Sequence, residues 1–156
     1  MNWLQFAVQW VHVLLGILWF GYALSAYFLI APPLRTMPEG TLREMYGRLS
    51  ATGQRVFPVV GILVLLLGIV RGTLLGPINS FEYVFTTAYG LTWLLALVAT
   101  IGLFVNGAIN IGPAYTAVKD APDFGAAVAR LNVVTRIDLA LFFVIFTCMI
   151  LMRFGY

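Results

Sequence analysis

The chain has one histidine, His12, in a stretch without charge that reads WVHVLLGILWFG, with Gly16 one turn beyond it and Trp10 and Trp19 on either side. An imidazole on an apolar helix is either a hydrogen-bonded packing residue or a metal ligand. Arg71 is the second group of interest, set between Gly68 and Gly72 in another apolar stretch. A guanidinium inside a membrane costs a few kcal/mol or more unless it is paired or reaches water. Arg71 therefore either snorkels to the headgroups or holds an anionic ligand, such as a haem propionate. Gly16, Gly68 and Gly72 leave flat clearance, which serves close helix packing or admits a planar macrocycle.

Soft donors form a third group, with Cys148, Met149 and Met152 close together and the two methionines sharing a helical face. Thioether, thiolate and imidazole suit copper(I). No Met-rich or His-rich capture segment accompanies them, and Asn106 and Asn110, one turn apart, read as interhelical hydrogen-bonding residues. Asp138 is the only acid inside an apolar stretch, with Arg136, Arg55 or water as its expected partners at the cytoplasmic edge. Ser/His/Asp sets, phosphate-binding glycine loops and paired intramembrane carboxylates are absent from the sequence.

The elements that must position these groups follow from composition. With 62% hydrophobic and 10% charged residues, the 156-residue chain has too little polar surface to coat a soluble globule. A bilayer needs about 20 apolar residues per helix. The gaps between charges supply four spans, at about 3–31, 56–76, 84–112 and 133–154. The expected fold is an all-α polytopic four-helix bundle in a single transmembrane domain. Met1 to Leu34 lacks Lys and Arg, so the first segment reads as a retained helix and not a cleaved signal.

Between the first two spans, Thr41 and Glu44 have capping-box spacing, and Leu42, Met45 and Leu49 share a face. This predicts a short surface helix over 41–52. A turn at Asp120 to Asp123 is expected to cap a helix running into the fourth span. Arg35, Arg43, Arg48 and Arg55 lie in the first connection and Lys119, Arg130 and Arg136 in the second, against Arg71 and Arg153 on the other side. The positive-inside rule then puts both connections in the cytoplasm and both termini outside, in a multi-pass protein of the inner membrane. The basic residues call for no nucleic acid.

The halves also look alike. Each has a charge-free helix ending near proline (Pro32 and Pro33, or Pro113), an Arg-Leu pair (Arg48 and Leu49, or Arg130 and Leu131) and an arginine at the next span (Arg55 or Arg136). This predicts two helical hairpins in parallel repeat, with the first and third helices parallel and His12 corresponding to Trp93.

The pattern Trp10, His12, Gly16, Trp19, Gly21 resembles the first transmembrane helix of a group of small bundle proteins. The group comprises the copper-resistance D-type membrane domain, the membrane-type protoporphyrinogen oxidase and the membrane domain of cytochrome-type urate oxidases. A proline after the first helix, an arginine entering the second and Tyr89-Gly90 at the third extend the likeness loosely along the chain.

The resemblance implies one haem b per chain with His12 as axial ligand to the metal. Gly16 would make room, Arg71 would pair a propionate, and Trp19 and Trp93 would be wall residues. Met149 or Met152 is the candidate thioether opposite, since the chain offers no second histidine; the other options are an open position or a histidine from another copy in a homo-oligomer. The oxidase-type lysine after Tyr-Gly is missing, because the chain reads Leu91, Thr92, Trp93, Leu94. Electron transfer or redox sensing, with a quinone or an external cytochrome as partner, is therefore expected ahead of porphyrinogen oxidation. A copper permease or a cofactor-free scaffold is the alternative.

Overall fold

The computed structural model describes residues 2–34 and 36–156. Among these the regular structure is all helix, and four helices are long and apolar enough to cross a membrane: Trp3–Leu34, Glu39–Gly72, Ala88–Asp120 and Phe124–Arg153. Large apolar side chains such as Leu18, Phe28, Val59, Ile101, Ile109 and Phe143 point outward. Outward apolar surface of that extent fits a lipid surround, in which water does not drive side chains inward.

Local chemistry explains the helix starts. Asn2 accepts hydrogen bonds from the N–H groups of Leu4 and Gln5, Thr87 from Gly90, and Asp123 from Ala126, so three spans begin with a side chain satisfying open N–H donors. Asp123 caps the fourth span as the sequence predicts. On the other side of the bundle, Ser80 caps a short helix, Phe81–Thr86, that joins the second and third spans.

The second span departs from expectation. No separate surface helix forms over 41–52; that segment is the first part of one continuous helix, Glu39–Gly72. Thr41 is not its cap, because the helix begins one turn earlier, after Pro38. Leu42 and Tyr46 are buried with Leu34, Ala114, Val118, Leu131 and Val134 in a core that ties all four spans together near the two connections. The segment is held inward by this core. Arg43 adds to it, donating to the carbonyls of Val118 and Lys119 at the end of the third span and lying 4.9 Å over the Phe124 ring.

The third and fourth spans pack most extensively, and the second span packs on both the first and the third. Each hairpin opens with a span carrying one wide π turn, Ala26–Ile30 in the first and Gly107–Ile111 in the third. The Ala31 N–H reaches the Ala26 carbonyl, and the Gly112 N–H reaches that of Gly107. Prolines dictate the position: Pro32, Pro33 and Pro113 follow at once, and a proline ring collides with the carbonyl four residues back unless the turn is widened. From position 26 to position 107 the offset is 81, the same as from Pro32 to Pro113 and from His12 to Trp93. The two π turns thus recur at the spacing of the sequence repeat.

Candidate functional site

Two places in the bundle carry polar groups. At the end bearing the termini, Gln5, Gln9 and His12 share one face of the first span and meet Arg71 on the second. Arg71 Nε donates to Gln9 Oε1 at 2.9 Å and Nη1 to the Leu75 carbonyl at 3.1 Å, while Gln5 donates to that carbonyl at 3.0 Å. Neutral acceptors thus hold the guanidinium, which takes part in no ion pair among the described residues.

The glycines of the second span are notches for rings. A Cβ on Gly68 would stand 3.2 Å from His12 Cε1, so the imidazole edge rests against the helix backbone there. On Gly72 a Cβ would overlap the indole nitrogen of Trp93, which donates to the Gly68 carbonyl at 3.4 Å. His12 and Trp93, the repeat-related pair, therefore sit in successive notches. Gly16 faces nothing within 4 Å.

This packing does not fit a porphyrin. The clearance at Gly68 and Gly72 is filled by His12 and Trp93 themselves. His12 Nδ1 is buried without a hydrogen-bond partner, the one side-chain atom of that kind among the described residues, and it has no open side through which iron could approach. Met149 and Met152 are half-buried on the fourth span beside the buried Cys148. Among the described residues no group of three or more His, Cys, Asp or Glu is placed to hold a metal ion.

The second place is a cavity of about 860 Å³ toward the connections, walled by all four spans. Six aromatic side chains line it: Trp19, Tyr22, Phe57, Phe104, Tyr115 and Phe142. Trp19 closes the end facing His12, with ring centroids 5.6 Å from Phe104 and 5.2 Å from Phe142. Gly61 makes room for that lid, since a Cβ there would come within 2.7 Å of Phe104 and 2.8 Å of Trp19. Trp19 is thus a wall residue of this cavity. Gly53, Gly107, Ala108 and Gly112 keep the facing walls of the second and third spans apart, and a Cβ on Gly107 would meet nothing within 4 Å.

Asp138 lines the cavity from the middle of the fourth span. Its partner differs from the arginines expected: Asn106 Nδ2 donates to Asp138 Oδ1 at 2.7 Å and to the Val134 carbonyl at 3.1 Å. Asn106 Oδ1 in turn accepts from Asn110 at 2.8 Å. The asparagines bridge the third and fourth spans as the sequence suggests. Arg136, the nearest basic residue in sequence, instead donates to the Tyr27 hydroxyl at 2.7 Å.

Protein-family models, curated proteins and solved structures give no match to this chain. The two polar places differ in what they can do. The first can brace two helices against each other. The second has room for a ligand.

The sequence signal for the cavity lay in small residues on facing helices and in Pro58, whose missing N–H removes a helical hydrogen bond to the Gln54 carbonyl; both residues line the cavity.

Proposed function

We propose that this chain is a multi-pass membrane protein that binds a membrane-dissolved amphipathic molecule in the cavity between its spans. The observation that carries this reading is the 860 Å³ volume, mostly apolar and aromatic in lining, with a few convergent polar groups at Ser50, Gln54, Thr116 and Asp138. Ligand sites are commonly of about 300–1,000 Å³ with this mixture. The excess of Lys and Arg at the two connections supports placing that end in the cytoplasm and both termini outside, in an inner membrane.

The test is photolabelling of the full chain in detergent with an alkyl diazirine. The expected result is saturable labelling of peptides carrying Phe57 and Tyr115, abolished by Ala108→Trp, which puts an indole into the cavity between the second and third spans. Labelling confined to lipid-facing Phe28, Ile109 and Phe143, indifferent to that substitution, refutes the reading.

A second reading keeps haem b, with His12 as axial ligand and electron transfer or redox sensing as the function. In its favour stands His12 Nδ1, buried without a hydrogen-bond partner on the residue that the resemblance marks. It requires the imidazole to leave the Gly68 notch and Trp93 to leave that of Gly72. Oxidised and reduced absorption spectra of the purified protein test it: a Soret band lost in His12→Ala supports haem, and colourless protein after expression with added haem rejects it.

A further inference from the structure

We propose that the cavity selects lipophilic cations, with Asp138 as the counter-charge. This rests on the cavity being a ligand site and names the class of ligand that it takes.

Charge is the first ground. Asp138 is the only ionisable acid or base in the lining apart from two tyrosines, and no Lys, Arg or His contributes. An anion entering this space meets no positive side chain and one carboxyl group. Within a membrane protein an acid without a basic partner is costly and marks a binding or transport path. Among the described residues no cation lies within ion-pair distance of Asp138, and its hydrogen bond from Asn106 falls on Oδ1.

Hydrogen-bonding capacity is the second ground. Gln54 donates to Ser50 at 2.7 Å and to Thr116 at 3.3 Å. Thr116 and Thr135 donate to carbonyls of their own helix, those of Gly112 and Leu131, and Asn106 is fully engaged. What remains is the Asp138 carboxylate as the one charged acceptor, beside neutral acceptors on Gln54 and the hydroxyls of Tyr22 and Tyr115. A site whose strongest free group is an anionic acceptor fits a ligand that brings positive charge.

The aromatic lining is the third ground. Aromatic faces attract cations, quaternary ones included, and the attraction grows when water is excluded. Tyr22 and Phe57 stand with ring centroids 4.4 Å apart, and Tyr115 lies across the same space. A delocalised or alkylated cation can therefore exchange its hydration for ring faces and one carboxylate while its apolar body fills the rest of the cavity.

The test uses two ions of the same shape and opposite charge, tetraphenylphosphonium and tetraphenylborate, in equilibrium dialysis against the full chain in detergent. Wild type is expected to bind the phosphonium saturably, near one per chain, with no displacement by the borate. Asp138→Asn, which keeps an oxygen for the Asn106 bond, should weaken the phosphonium at least about tenfold, through loss of a Coulombic charge pair in a partly buried site. Asp138→Glu should retain it. Borate binding as tight as phosphonium, or an Asp138→Asn variant that is folded by circular dichroism and binds unchanged, overturns the cation inference. If Ala108→Trp still abolishes diazirine labelling in that case, the cavity reading stands alone. The wild-type comparison of the two ions decides the matter even if the Asp138 variants do not fold.

Discussion

Alanine at Gly72 and alanine at Gly16 should move stability in opposite directions. Gly16 lies inside an apolar helix and Gly72 is the last residue of one; in a helix interior alanine is favoured over glycine by about 0.8–1.0 kcal/mol, an upper bound at Gly72. At Gly16 a Cβ meets nothing within 4 Å, so the substitution should stabilise by up to about 1 kcal/mol. At Gly72 the Cβ would overlap Trp93 Nε1 and stand 2.7 Å from its Cδ1 and 2.9 Å from its Cε2. Overpacking of this kind costs about 1–3 kcal/mol, and the rigid indole, bonded to the Gly68 carbonyl, places Gly72 at the upper end. Against the helix-propensity gain, Gly72→Ala should lose about 1–2 kcal/mol, which puts the two variants about 2–3 kcal/mol apart. Unfolding in mixed micelles by titration with dodecyl sulfate, followed by loss of helical circular dichroism, measures this. A Gly72→Ala protein as stable as Gly16→Ala would show that Trp93 does not occupy the notch, and would return the clearance to a flat ligand.

Other outcomes follow from the same geometry. Asn106→Leu removes the donor to Val134 and Asp138 and the acceptor for Asn110, and should cost about 2 kcal/mol, from a bond to a carboxyl group plus weaker interhelical bonds; an unchanged midpoint in the same titration contradicts it. Gln9→Leu strips Arg71 Nε of its acceptor and should destabilise by about 1 kcal/mol, whereas Gln9→Glu, which supplies an ion pair, should not. Cys148 is 3% exposed and should resist maleimide until the protein is denatured; prompt labelling of the folded protein shows the fourth span to be turned otherwise. In a Cys148→Ser background, Glu82→Cys and Pro122→Cys should react with an impermeant maleimide from opposite faces of a sealed vesicle, and labelling of both from one face refutes the four-span topology.

The four spans were legible because charge gaps report apolar length directly, and the Asp123 cap because Asx residues before a helix have one common use. The span ends were not. Composition marks only the apolar middle of a helix, while Glu39 to Arg55 and Phe124 to Asn132 continue the same helices with polar surface. Which face of a helix points inward was hidden for a different reason. Each π turn inserts a residue and shifts the phase of everything beyond it, so a 3.6-residue period fitted along the whole first or third span runs out of step at Ala26 or Gly107.

His12 and Arg71 were visible as exceptions to an apolar background, and the structure joins them in one polar seam. Their partners were not visible, since Gln5 and Gln9 are neutral and carry no charge signal. Asp138 was visible too, yet the distance from the membrane edge was read from the apolar boundary at 133 and not from a helix beginning at Phe124, which left its cavity unrecognised.

The 81-residue offset also relates Phe57 to Asp138, and both line the cavity. Two matched hairpins around one space would offer an asymmetric guest two equivalent poses. With a benzyl ring on one side and a carboxyl group on the other, that degeneracy would be lifted for the proposed guest: its head would have a single address, and its tail would be directed toward the opposite hairpin.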